Sequence, residues 1–172
     1  QNRRRLEAEA IRDSVLAVAG KLDTTMHGPS FMDFVIKKPE HSPHYEYHLA
    51  DPHDPKTHRR SIYRFLVRSQ PHPFMQTFDC ADPSELVDKR GETNTALQAL
   101  AMLNNKHIVA MATHFANRVK GEEGIASSAI RLALSREATP EEHQSLTAYA
   151  QSHGVTAMCR LILNLSEFSF VD

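Results

Sequence analysis

The stretch from Thr95 to Val119 places the strongest constraint on what this chain can become. Leu97, Leu100 and Ala101, then Ile108, Met111, Ala112, Phe115 and Val119, recur at the three- and four-residue spacing that forms one apolar stripe on an α-helix. Such a stripe needs other apolar surface to cover it, so a layered helical body follows. Asn104 and Asn105 interrupt the stripe, and Asn is a good N-cap, so two helices are expected to meet there. Ile11, Val15, Val18 and Leu22 predict an amphipathic first helix, and GIASSAIRLALSR predicts another. TPEE at 139–142 is a helix start, with Thr139 as N-cap, Pro140 at the first helical position and Glu142 closing a capping box. That helix should run to His153 and stop at Gly154; Val155, Met158, Cys159, Ile162 and Leu163 mark the last one, before SEFSFVD.

A different texture separates the first helix from the rest. The Gly28-Pro29 pair breaks the helix, and FMDFVIKKP reads as a short extended stretch ended by Pro39. From 39 to 57 the chain carries four prolines and little aliphatic mass apart from Leu49, which predicts a long loop. SIYRFLVR alternates with period two and predicts a strand; SQPHPFMQTFDCADPSELVDKRGE is irregular. The expectation is one mainly α domain over 1–172. It should hold about five to six helices, a His/Pro-rich loop insertion at 37–60 and one or two short β-strands.

Composition excludes several function classes. Twenty basic and 21 acidic residues leave a formal charge of -1, so no strong net field draws nucleic acid or an anionic membrane. With 172 residues and 41 % hydrophobic content the chain can bury a core. No apolar run approaches the roughly 18 residues of a membrane span, and the opening QNRRRLEAEAIRD has no signal-peptide core. Because it begins without Met, directly in helix-like sequence, a processed product or a piece of something longer is expected. Cys80 and Cys159 belong to no CxxC or CxxCH pattern, which disfavours an iron–sulfur cluster, a zinc ribbon or covalent c-type haem within the chain. Two buried thiols or one disulfide both remain open.

Three polar constellations could carry chemistry. HSPHYEYHLADPHDPKTHRR holds His41, His44, His48, His53 and His58. With Asp51 and Asp54, the first four could ligate zinc or a similar divalent ion. Loop histidines are more often solvated or bonded to backbone, and no standard zinc spacing is met. Arg60, Arg64, Arg68 and Arg90, in a group with Arg59, Asp79, Asp82, Lys89 and Glu92, could grip a sulfate, phosphate or sugar carboxylate through forked hydrogen bonds. The favoured alternative is that they pair with those acids and with loop carbonyls to hold irregular backbone. Thr93, Asn94, Thr95, Gln98, Asn104 and Asn105 are explained by helix capping. Asp79-Cys80 with His72 suggests thiol catalysis only weakly, and no carboxylate pair, Ser-His-Asp set or glycine-rich phosphate loop stands out.

The segments NRRRLEAEAIRDSVLAVAGKLD, HRRSIYRFLVRSQPHPFMQTFDCADPS, TNTALQALAMLNNKHIV and RLALSREATPEEHQSLTAYAQSHGVTAMCRLILNLSEFSFVD resemble, in order, the C-terminal part of the planctomycete PSD1 family, DUF1553. The resemblance implies a large exported protein in which a second domain of unknown function and often a cytochrome-c-like domain lie upstream. It thus implies an extracytoplasmic location, haem c only in that upstream part, and partners among the missing N-terminal domains. An association with polysaccharide use comes with it. An exported setting would favour a disulfide between Cys80 and Cys159 if their Cβ atoms approach within about 4 Å. No cofactor is expected within the chain apart from a possible divalent metal. The leading expectation is a non-catalytic structural or interaction module. Its alternatives are a module for anionic glycans and a metal-dependent hydrolase using the His loop; nucleic acid and a membrane span are not expected.

Overall fold

Helix α4 (Lys106–Val119) is the piece around which the others assemble. Its Ile108, Met111, Ala112, Phe115 and Val119 are wholly buried, the second half of the stripe anticipated from the sequence, whereas Leu97 and Leu100 of the first half are exposed. The computed structural model describes residues 3–38, 41–85 and 90–171. Among them the order is β1 (Arg4–Arg5), α1 (Ala8–Val18), β2 (Val35–Lys37), β3 (His44–Glu46), α2 (Pro73–Thr77), α3 (Ala96–Asn104), α4, α5 (Ile125–Leu134), α6 (Pro140–His153), α7 (Val155–Leu163), α8 (Ser166–Ser169) and β4 (Phe170–Val171). The protein is mainly α-helical. Helix α4 packs most extensively on α7 and also touches α1, α3 and α5. Met158, Cys159, Ile162 and Leu163 of α7 complete the core with Ile11, Val15 and Leu16 of α1.

The helix boundaries follow local chemistry. Asn105 is extended between α3 and α4, and its Oδ1 accepts the His107 N–H at 2.9 Å, so the expected break is made by an N-cap. Thr139 and Glu142 form the capping box of α6, and Gly154 with φ 88° ends that helix. Helix α1 stops at Val18 and so does not reach Leu22 as the spacing suggested. Gly20 takes φ 69° just beyond its end, and Arg118 of α4 donates to the carbonyls of Ala17 and Val18, both at 2.8 Å. A Cβ on Gly20 would lie 3.3 Å from Arg118 Cδ, so glycine serves both the turn and the close approach.

The two ends of the chain meet in an antiparallel pair, Arg4 opposite Val171 and Arg5 opposite Phe170. Arg136 holds α8 against the start of α6, donating to both oxygens of Glu142 and of Glu167. Arg5 is the deeper anchor. It is buried, donates to Asp79 Oδ2 at 2.7 Å and to the Phe78 carbonyl, and lies over the Phe78 ring. Asp79, at φ 57°, accepts in turn from the Thr93 N–H and hydroxyl. Gln98, which closes the capping box with Thr95, also donates to the Thr77 carbonyl and Thr93. The TFDCADPS and TNTALQ segments are thus two halves of one knot.

The insertion is more ordered than a plain loop. Its β2 and β3 form an antiparallel hairpin with Ile36 opposite Tyr45, and 3-10 turns occupy Tyr47–Leu49, Pro55–Thr57 and Ser61–Tyr63. Pro39 lies outside the described residues. The strand expected for SIYRFLVR is replaced by the last of these turns and a single bridge between Phe31 and Arg64. Ser61, Arg64 and Val67 turn inward at a spacing of three: Arg12 and Asp13 of α1 bond Ser61, and Asp33 takes Arg64. Burying them outweighs the alternation of Tyr63, Phe65 and Val67.

In urea unfolding, Asp79→Ala should cost about 3 kcal/mol by leaving the buried Arg5 guanidinium without its counter-charge. Thr139→Ala should cost about 1 kcal/mol by removing one exposed cap. The reverse order would show that the Arg5–Asp79 knot is peripheral.

Candidate functional site

A cleft of about 270 Å³ opens where the insertion lies against α1, α2 and the first turn of α4. Its polar wall comes from Arg12, Asp33, Tyr47, His72, Lys106 and His107. Each reaches the cleft for a local reason. Arg12 points from the insertion side of α1 and donates to the carbonyls of Thr57 and Arg59 and to Ser61 Oγ. Burial pulls its pKa down to about 10, against the opposing pull of Asp33, so it stays charged at neutral pH. Lys106, at the start of α4, donates to the carbonyls of Ala50 at 2.8 Å and His48 at 3.3 Å. The cations of the wall are therefore fasteners between α-helices and insertion.

His72 is the N-cap of α2. Its Nδ1 faces the Phe74 N–H at 3.1 Å and the Met75 N–H at 3.4 Å, with Pro73 at the first helical position. Amides can only donate, so Nδ1 accepts and the neutral ring carries its proton on Nε2, 3.6 Å from Asp33 Oδ2. Burial, with the charges of Arg64 and Arg12 adding to it, lowers its pKa to about 4, Asp33 opposing. The other Asp33 neighbour is buried Arg64, whose Nε donates to Oδ2 at 2.8 Å. His107 follows the Asn105 cap. Burial first, then Arg12 and the nearby His58 and His72, press its pKa to about 3. Both imidazoles are neutral at pH 7. Two buried atoms of this wall, Asp33 Oδ1 and His107 Nε2, have no hydrogen-bond partner among the described residues.

The loop histidines do not gather. His41 and His44 are exposed around the hairpin; His48 is exposed at the cleft rim with its Nδ1 3.2 Å from Glu46. His53 meets His114 of α4 at 3.0 Å, while His58 is buried with Nε2 2.9 Å from the Pro52 carbonyl. Among the described residues no three His, Cys, Asp or Glu side chains are placed to hold one metal ion. The arginines also go separate ways. Arg64 is paired with Asp33, Arg90 donates to Glu9 at 2.8 Å and Glu7 at 3.2 Å, and Arg60 and Arg68 are exposed. Lys89 lies outside the described residues. Arg59 donates to the carbonyls of Thr25, His27 and Pro29 and stacks on Tyr63.

Cys80 and Cys159 are both free thiols, so the disulfide that an exported setting would favour is not formed here. The Cys80 thiol donates toward Glu9 Oε1, and burial together with that carboxylate pushes its pKa up to about 11. Cys159 lies in the core, where burial pushes it up to about 12. Neither supplies a thiolate at neutral pH.

Sequence reasoning missed Asp33, His72 and His107 as a group, because they come from three distant segments. One signal was legible: His72 directly before Pro73 has the form of an N-cap followed by proline at the first helical position. The segments on either side of the insertion also leave large apolar groups open. Met32, Val35 and Ile36 on one segment and Ile62, Phe65 and Leu66 on the other are between 41 % and 76 % exposed. The two segments adjoin through the Phe31–Arg64 bridge and the Phe65 N–H donated to the Phe31 carbonyl.

The profile of PSD1, described as a protein of unknown function (DUF1553), matches residues 1–150. No curated protein and no solved structure matches the chain.

The two depressed imidazoles of the cleft, His72 and His107, fix a pH dependence. The unfolded chain takes up protons on both as pH falls through about 6.5 while the folded chain refuses them until about 4 and 3, so stability falls with pH in that window. Each group contributes a slope of up to about 1.4 kcal/mol per pH unit. His107→Gln should flatten the slope of urea-derived stability between about pH 6 and 4.5 by roughly the share of one group. An unchanged slope would mean that His107 titrates normally.

Proposed function

The chain belongs to the PSD1 (DUF1553) family of proteins of unknown function, and from that premise we propose that it is a non-catalytic interaction module of a larger exported protein. The observation that carries this reading is the exposure of six large apolar side chains, Met32, Val35, Ile36, Ile62, Phe65 and Leu66, on two adjoining segments. Single exposed apolar side chains are ordinary, but six on adjoining segments form the kind of surface that another protein covers. The partner is an upstream domain of the same polypeptide, the cytochrome-c-like domain that the resemblance implies among them. Helix α1 is not that surface, since Ile11, Val15 and Val18 are committed to the core. The groups that could do chemistry support the same reading. His72 caps a helix, Arg12 and Lys106 bind carbonyls, Arg64 and Arg90 face carboxylates, and Cys80 is held as a thiol. No specific observation favours the anionic-glycan or metal-hydrolase alternatives.

The test uses the upstream part of a full-length family polypeptide, produced separately and titrated calorimetrically with this chain. Ile62→Ser combined with Leu66→Ser should weaken binding at least tenfold, about 1.4 kcal/mol. Folding stability should change by less than about 0.5 kcal/mol, because both side chains are on the surface. Undiminished binding by the double variant, or no binding by the native chain, would overturn the reading.

A further inference from the structure

We propose that His53 and His114 together chelate one divalent transition-metal ion, copper(II) or nickel(II), which pins the insertion to α4. The proposal does not depend on the docking surface, which neither residue joins.

Geometry selects the pair. His53 Nδ1 and His114 Nε2 stand 3.0 Å apart in an exposed contact, with the ring planes at 69° and the centroids 5.1 Å from one another. An ion from solvent therefore meets two imidazoles from different parts of the fold, and imidazole is the commonest protein ligand for such ions. Metal–nitrogen bonds are about 2.0–2.1 Å long, so nitrogens at this separation subtend about 90–97° at a shared metal. That matches neighbouring ligands of a tetragonal ion, the geometry of copper(II) and nickel(II), whereas tetrahedral zinc would need about 3.3 Å.

One ring now donates to the other, so one tautomer has to change. With its proton on Nε2, His53 presents a lone pair at Nδ1; with its proton on Nδ1, His114 presents one at Nε2. No hydrogen bond among the described residues engages His53 Nε2 or His114 Nδ1, so the change breaks no other bond. The proton moves between the two nitrogens of one neutral ring by way of solvent, and none is released overall. A turn about χ2, a broad torsion in histidine, aims both lone pairs at one point. Water fills the remaining positions, since the protein supplies two ligands.

The surrounding charges are mixed. Asp51, whose Oδ1 accepts the His53 N–H at 2.9 Å, favours a cation in this turn. Lys21, whose charge acts on His114, opposes one, but it is exposed and screened by salt.

The experiment titrates the whole chain calorimetrically with copper(II) sulfate, nickel(II) chloride and zinc chloride. Affinity should fall in that order, and substoichiometric copper(II) should broaden the His53 and His114 ring signals in NMR before those of His41, His44 and His48. His53→Ala and His114→Ala should each weaken copper binding at least tenfold, about 1.4 kcal/mol. The double variant should lose less than a further twofold, because either substitution alone destroys the chelate. Substituting His44 and His48 by Ala should leave the affinity unchanged. Should one of the pair variants fail to fold, the other decides alone. No copper binding, zinc bound more tightly than nickel, or native affinity in the pair variants would overturn the proposal. Losses that multiply in the double variant would also overturn it, since separate histidines would then hold an adventitious ion only. None of these outcomes bears on the docking surface.

Discussion

The buried guanidinium of Arg12 is the contact on which the insertion depends. It sits on α1, over the Phe31 ring at 5.1 Å, and reaches the Thr57 and Arg59 carbonyls and Ser61. Asp13 beside it takes the Ser61 N–H at 2.8 Å and hydroxyl at 2.7 Å. Burying a charge is unfavourable unless its donors are satisfied, and here irregular backbone provides the acceptors. The benefit is mutual: each carbonyl left without Arg12 would stand unpaired at about 1–3 kcal/mol. The same device recurs with Arg5 on Phe78 and Asp79, Arg59 on the 25–29 turn and Arg118 on the end of α1. Arginine suits this task because a rigid planar fork can join several acceptors at once.

This explains which parts of the fold were legible in the sequence. The helices were, because Ile108, Met111, Phe115 and Val119 announce a stripe, and Asn105, Thr139 and Gly154 announce its ends through local hydrogen bonding. The SIYRFLVR segment was not. Its alternation is a local signal, whereas its conformation is set by Arg12 and Asp13, some 50 positions away. The end of α1 was missed by one turn for a similar reason, because Arg118, a hundred residues distant, stabilises the stop at Val18.

The candidate site was legible only in its residue types. Histidines and arginines were visible in the loop, yet of the three histidines that line the cleft only His48 belongs to the His-rich stretch, and His72 and His107 lie outside it. His58 alone of that stretch is buried, and it bonds the Pro52 carbonyl. Sequence neighbourhood therefore mispointed, since it grouped residues that the fold separates. The reading that polar clusters tie down awkward backbone fits the arginines and His72. Asp33 Oδ1 and His107 Nε2, buried and without a hydrogen-bond partner among the described residues, are where it stops.

The most direct measurement of the central claim is native-state amide hydrogen exchange on Arg12→Met. If Arg12 clamps the insertion to the helical body, the Phe31, Ser61 and Phe65 amides, which bond across it in the native protein, should lose at least tenfold protection. The core amides of Met111 in α4 and Ile162 in α7 should keep theirs. Equal loss of protection in both regions, or none in the insertion, would contradict the account.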